Sequence, residues 1–162
     1  MRVHVALGSN LGDRVARLRR ACDALRALAV DGALERSPLY ESDPMGPPDQ
    51  PDYVNGVCAF ETALEPHALL AELQRIEREE GRVRPAPRWR ERTLDLDLLL
   101  CGERTVDSPD LVVPHPGIAE RAFVLRPLAD LDPTLVVPGL GPVAELLAAL
   151  GKEGGEGLRP LG

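Results

Sequence analysis

The run "RWRERTLDLDLLL", residues 88–100, sets arginines and two aspartates against leucines. Successive side chains of a strand point to opposite faces, so Asp95 and Asp97 share one face and Leu94, Leu96 and Leu98 the other. Two carboxylates about 7 Å apart on a half-buried face need a positive charge between them, arginine or a divalent cation. Magnesium suits such a pair because it takes one or two carboxylates and completes its shell with water and substrate phosphates. Cations are close by in sequence. Residues 82–92 hold Arg82, Arg84, Arg88, Arg90 and Arg92 against only Glu91, a local charge of +4 in a chain of net charge −7. Guanidinium forks match phosphate oxygens, and the two features together describe a pocket for phosphate and magnesium. No glycine-rich phosphate loop with its lysine occurs in the sequence, so arginine must hold any triphosphate. Taken singly, each feature has an ordinary reading, the aspartates as a solvated strand end and the arginines as a solvated surface.

Weaker candidates surround this pair. Gln74 and Glu77 are three residues apart and lie on one flank of a helix. His115 is pinned between Pro114 and Pro116, with Arg121 following, and Tyr53 and Phe123 are two of only five aromatic side chains. Alone, these read as helix surface, an incidental histidine and core rings.

The elements that must carry these residues are legible as patterns. Val3, Val5 and Leu7 alternate as a half-buried strand that "GSNLGD" ends. A helix from about Asp13 places Leu18, Ala21, Cys22, Leu25 and Leu28 on one stripe. "LERSPLYESD" reads as a strand interrupted by Pro38 at an edge, and "PMGPPDQPDY" as a stiff loop. Strand alternation resumes over residues 53–64. "EPHALLAELQRIEREEG" is then a helix with Pro66 in its first turn and Gly81 as its stop, burying Leu69, Leu70, Leu73 and Ile76. After the aspartate strand, residues 113–139 read as loop with one short helical turn, followed by a helix that Gly151 caps and a mobile tail over 151–162. The order of the first hundred residues predicts an α+β fold, a ferredoxin-like β-α-β-β-α-β sandwich. Its sheet is antiparallel, with helices on one face and an extra C-terminal helix and loops. The face bearing Asp95 and Asp97 is left for a site or for loops.

One domain over residues 1–162 fits the length. No apolar run is long enough to span a membrane, and the N-terminus has no signal-peptide pattern, which predicts a cytoplasmic protein without a membrane partner. The acidic net charge argues against a nucleic-acid partner, and a cationic loop on an acidic body predicts a small anionic ligand. Cys22, Cys58 and Cys101 are odd in number and far apart in sequence. That fits neither a disulfide framework nor a zinc site and predicts reduced core residues.

"DQPDYVN", "QRIEREEGRVR", "RTLDLDLLL", "VPHP" and "RAFVLRPLADLDP" occur in this order and spacing in the 6-hydroxymethyl-7,8-dihydropterin pyrophosphokinase family, and the chain resembles it from about Val3 to Pro138. The resemblance implies a folate-pathway transferase, an ATP-dependent pyrophosphokinase. Such an enzyme moves an intact pyrophosphoryl group from MgATP to the pterin hydroxymethyl and releases AMP. It implies that Asp95 and Asp97 bind two magnesium ions, and that Arg82, Arg92, Asp95 and Asp97 form the catalytic set. Arg82, Arg84, Arg92, His115 and Arg121 would contact phosphates, with Gln74, Glu77, Trp89 and Leu98 lining the nucleotide site. Tyr53 and Phe123 would sandwich the pterin ring, with Asn55, Trp89, Asp95 and the groups around Ser42, Asp43 and Met45 about its edge. The resemblance also implies a monomer. The chain departs from the family pattern at Arg90, where a small residue is usual, at Gly117, where an arginine often follows "PHP", and at Asp43, where proline is common.

Two other readings stay open on the residues alone. A palm-type nucleotidyltransferase also joins a Gly-Ser turn to a D-x-D, but in it the two lie close in sequence. A ferredoxin-like ligand-sensing module explains the fold without explaining aspartates beside five arginines. Mutual repulsion within residues 82–92 predicts a lid that frays when empty and orders once MgATP and pterin are bound.

Overall fold

Residues 1–10, 12–43, 52–80, 94–154 and 158–161 are described by the structure, a computed structural model. The first strand, β1 (Arg2–Ser9), sends Val3, Val5 and Leu7 into one core and Ala6 towards a second on the opposite face. Helix α1 (Arg14–Arg26) begins where the Asp13 carboxylate accepts the Ala16 N–H at 3.1 Å, one of the amides that a helix start leaves unpaired. It buries Leu18, Ala21, Cys22 and Leu25, while Leu28 lies just past its end and is half-buried. The chain around Pro38 divides into two short strands, β2 (Glu35–Arg36) and β3 (Tyr40–Ser42), since proline has no N–H to give a ladder. Strand β4 (Tyr53–Glu61) and helix α2 (Pro66–Glu79) follow, the helix with Pro66 in its first turn. Leu69, Leu73 and Ile76 of α2 are fully buried, and each such side chain contributes about 1.5–3 kcal/mol. Strand β5 (Asp95–Cys101) completes the unit.

The sheet runs β3-β4-β1-β5, every neighbour antiparallel, with β2 also on β4. This is the ferredoxin-like order, with α1 and α2 on one face as expected. The pairing of β1 with β5 shifts register between His4 and Val5, where Leu99 is the extra residue of a bulge. Leu94, Leu96 and Leu98 therefore join the core beneath α1 and α2, whereas Leu99 and Leu100 both turn to the other face.

Beyond β5 a small hairpin of β6 (Val106–Asp107) and β7 (Val112–Val113) leads to helix α3 (Ala122–Leu131). A second hairpin, β8 (Val136–Val137) and β9 (Gly141–Pro142), precedes helix α4 (Val143–Gly154). Val124, Leu125 and Leu128 of α3 pack with Ile118, Val137 and Val143 on Val57, Leu99 and Leu100, a second core on the outer sheet face. Residues 113–139, expected to hold one short helical turn, thus contain a ten-residue helix with Pro127 inside it. The missing Pro127 N–H costs the helix one bond, and burial of Leu125 and Leu128 on either side outweighs that loss. Gly151 breaks α4 with a φ of 64°, where the sequence places the helix stop.

Contacts between residues remote in sequence add two features to the fold. The tail read as mobile contributes strand β10 (Arg159–Pro160), which pairs with Glu41 and Tyr40 of β3. Cys22 and Cys58, far apart along the chain, bring their sulfurs to 3.3 Å in the core, both as free thiols. Among the described residues, no helix is long and apolar enough to cross a membrane.

Candidate active site

Asn55, Gly8 and Asp95 stand opposite one another across β4, β1 and β5, because Gly8 pairs with Asn55 on one side and with Asp95 on the other. Paired residues of antiparallel neighbours share a face, so this row lies on the side of the sheet away from α1 and α2. The next row towards the core is Val57, Ala6 and Asp97. Across β3, Tyr40 pairs with Asn55 and Ser42 with Tyr53, which extends the same face by one strand. Asn55 is almost fully buried and donates its Nδ2 hydrogen to Ser42 Oγ at 2.7 Å. That bond fixes the amide beside Tyr53. Gly8 leaves the floor bare. A methyl group there would sit 3.4 Å from Asn55 Oδ1 and 3.8 Å from the Tyr53 ring. Asn55 and Asp95 are about 10 Å apart, two strand spacings, with the bare backbone of Gly8 between them in the row.

Asp95 and Asp97 are half-buried, and two contacts on the outer edge of their strand come from residues singled out in the sequence. Glu77 Oε2 accepts the Leu96 N–H at 2.8 Å, and His115 N–H donates to the Leu99 carbonyl at 3.0 Å. An edge strand with unpaired amides is a liability, and here α2 and the segment after β7 satisfy it. The same bonds bring Glu77 and His115 to the aspartate strand. His115 Nδ1 accepts the Gly117 N–H at 3.0 Å, so the neutral imidazole carries its proton on Nε2. Burial holds this imidazole below its ordinary range, Asp97 opposing and Arg121 adding to the effect. His115 is therefore a neutral donor between a carboxylate and a guanidinium.

Arg121 and Phe123 enter from the start of α3, the Arg121 guanidinium 5.8 Å from the centre of the Phe123 ring, within cation–π reach. The Arg121 guanidinium also lies on the bare Cα of Gly117, where an added Cβ would come within 2.7 Å of Nε. The far end of α3 is held by the sheet. Tyr40 donates its hydroxyl hydrogen to Asp130, while Arg2 and His4 both bond Asp132, at 3.0 and 2.6 Å.

Of the residues expected at a site, the sheet face and its edge gather Ser42, Tyr53, Asn55, Asp95, Asp97, Glu77 and His115, with Arg121 and Phe123 supplied by α3. Gln74 is exposed on α2 beside them. Leu98 is not brought there, since its side chain lies in the core beneath α1 and α2, leaving only its backbone open to a ligand. The Asp43 side chain bonds Arg159 instead of facing the site. Met45, Arg82, Arg84, Trp89 and Arg92, and the lid expected over residues 82–92, lie outside the described residues. Gly8 and Tyr40 were missed by sequence reasoning. A glycine inside a strand pattern signals close approach of a ligand or another chain segment, whereas "GSNLGD" on its own places Gly8 at the strand's end. Among the described residues, no three His, Cys, Asp or Glu side chains gather as a metal cluster. Asp95 and Asp97 alone suit a cation that completes its shell from phosphate and water.

A family model described as 7,8-dihydro-6-hydroxymethylpterin-pyrophosphokinase matches residues 4–133. A 2-amino-4-hydroxy-6-hydroxymethyldihydropteridine pyrophosphokinase of Pseudomonas aeruginosa is 54% identical over 157 residues, covering 97% of this chain and 96% of that protein. The protein of the same name in Haemophilus influenzae is 46% identical over 144 residues, with 89% of each chain covered. In shape, a Plasmodium falciparum HPPK-DHPS chain solved with pterin and p-hydroxybenzoate matches with a TM-score of 0.76 at 14% identity. That match covers 98% of this chain and 44% of the longer one, and it speaks to the fold.

Proposed function

The chain belongs to the 7,8-dihydro-6-hydroxymethylpterin pyrophosphokinase family, and from that premise we propose that its chemistry takes place on the sheet face carrying Tyr53, Asn55, Asp95 and Asp97. The reaction is transfer of pyrophosphate from ATP to 6-hydroxymethyl-7,8-dihydropterin, with release of AMP, in folate biosynthesis. The nucleotidyltransferase and the ligand-sensing module fall with that assignment.

The observation that carries the site is the row Asn55–Gly8–Asp95. A flat heterocycle seated on Tyr53, with Asn55 and Ser42 at its rim, lies over the bare Gly8 floor and points its hydroxymethyl group at the aspartates. Phe123 closes the ring from α3, since a planar ring with a polar rim is well held between two aromatic faces. Asp95 and Asp97 would hold magnesium, which would supply charge neutralisation and Lewis-acid polarisation at the phosphates. His115 offers its Nε2 hydrogen and Arg121 its guanidinium to phosphate oxygens. Arg82, Arg84 and Arg92 add further forks, with Gln74, Glu77 and Trp89 about the nucleotide and Met45 and the Asp43 backbone at the pterin edge. Glu77 also fixes the strand between the aspartates through Leu96. In-line attack by an alcohol needs chiefly positioning and charge neutralisation, which this set supplies without a dedicated base. Three buried free thiols accord with a reducing compartment, and we place the protein in the cytosol as a monomer of one domain.

The metal assignment has its own test. Mn2+ bound in the presence of a non-hydrolysable ATP analogue is counted by electron paramagnetic resonance in the wild type and in Asp95→Asn and Asp97→Asn. Each variant is expected to bind fewer ions or bind them more weakly, and unchanged stoichiometry and affinity would overturn the assignment.

A further inference from the structure

Three carboxylates crowd the place where β3 ends and β4 begins. Carrying the Ser42–Tyr53 register one residue outward sets Asp43 opposite Asp52. Like charges directly opposite one another on antiparallel strands push apart. Arg159 answers both, donating from Nη1 to Asp43 Oδ1 at 3.3 Å and from Nη2 to Asp52 Oδ2 at 2.8 Å. The tail delivers it there, because β10 pairs Arg159 with Glu41 and the Leu161 N–H bonds the Leu39 carbonyl at 3.0 Å. From the other side Arg14, at the start of α1, donates to the Asp52 carbonyl at 2.8 Å and pairs with Glu41 at 3.6 Å. Alternation puts Glu41, Asp43 and Asp52 on the face opposite Ser42 and Tyr53. The arginines thus brace the two strands from behind the residues that face the site.

We propose that Arg159 is a positioning residue for the pterin. Its two arms fix the spacing of Asp43 and Asp52, and so the placement of Ser42 and Tyr53 on the other face. The proposal rests on the reading above that the pterin lies against Ser42, Tyr53 and Asn55. Arg159 is 47% exposed, so water and salt screen each pair. Its strength lies in spanning two carboxylates that otherwise repel, which a planar fork does and the point charge of lysine does only in part.

The test is steady-state kinetics on full-length Arg159→Ala and Arg159→Lys, with Tyr53→Ala as control, at low and at high salt. Arg159→Ala is expected to raise the KM for pterin about three- to tenfold while kcat and the KM for ATP stay within about twofold, and the rise should shrink in high salt. Arg159→Lys is expected to recover part of the loss. A pterin KM unchanged in Arg159→Ala but raised in Tyr53→Ala overturns the brace and leaves the site reading standing. Equal rises in both KM values mean general loosening and also overturn it. Tyr53→Ala without effect on pterin overturns the site reading and the proposal with it.

Discussion

The Glu77 carboxylate accepts the backbone N–H of Leu96 at 2.8 Å, and Leu96 is the single residue between Asp95 and Asp97. A helix on one side of the sheet thereby sets the position of two carboxylates that face the other. Glu77→Ala strands the Leu96 amide, which should cost about 1–2 kcal/mol in urea unfolding and lower kcat by loosening the aspartate strand. Glu77→Gln keeps an acceptor oxygen and should restore most of both. If Gln proves as damaging as Ala, the carboxylate's charge matters more than its hydrogen bond to the strand.

Gly8→Ala probes the floor. The new methyl meets Asn55 and Tyr53 at ordinary contact distances, so the melting temperature should hardly move. It fills the gap over which the pterin lies, and the Kd for pterin should rise roughly tenfold or more. Calorimetry showing unchanged pterin affinity would remove the heterocycle from this row.

Phe123→Ala should weaken pterin binding far more than nucleotide binding, since a stacked ring contributes about 1 kcal/mol beyond its buried area. Titrations of each ligand separately provide the check, and equal losses would count against the ring's assigned place.

Stability should fall on mild acidification because of His4, which β1 buries against α3. Its Nε2 lies 2.6 Å from Asp132, and its Nδ1 has no partner among the described residues. Burial holds the imidazole below its ordinary value of 6.5, with Asp132 and Glu35 opposing and Arg2 adding to the depression. The folded state therefore prefers neutral His4. Its contribution is complete above the unfolded-state value and is lost as pH falls from there through the lower folded-state value. His115 is shifted the same way and adds to the loss. Urea unfolding at neutral and mildly acidic pH should show the decline in the wild type and a smaller one in His4→Gln. Identical pH slopes in the two proteins would remove His4 as the cause.

The sequence revealed those parts of the fold whose burial follows a period. Val3, Val5 and Leu7, the α1 and α2 stripes, and the alternation of Leu94, Leu96 and Leu98 with Asp95 and Asp97 all reappear, because each element buries one regular face. The bulge at Leu99 escaped notice, since a run of three leucines looks the same whichever faces they take. Helix α3 was hidden by Pro127, whose local cost is offset by contacts with strands remote in sequence. The tail's glycines masked Arg159, whose partners are more than a hundred residues away. At the site, Asp95 and Asp97 stood out as charges in an apolar strand. Gly8 could not, because its contribution is an empty space defined only once β4 and β5 flank it.

The central claim, that Asp95 and Asp97 carry pyrophosphoryl transfer, is tested most directly by product analysis. Wild type and Asp97→Asn are incubated with ATP, magnesium and 6-hydroxymethyl-7,8-dihydropterin, and AMP and the pyrophosphorylated pterin are quantified while circular dichroism monitors the fold. The wild type should form the two products in equal amounts, and Asp97→Asn should lose at least about a hundredfold in kcat with an unchanged spectrum. A folded Asp97→Asn that retains turnover within a few-fold of wild type would contradict the account.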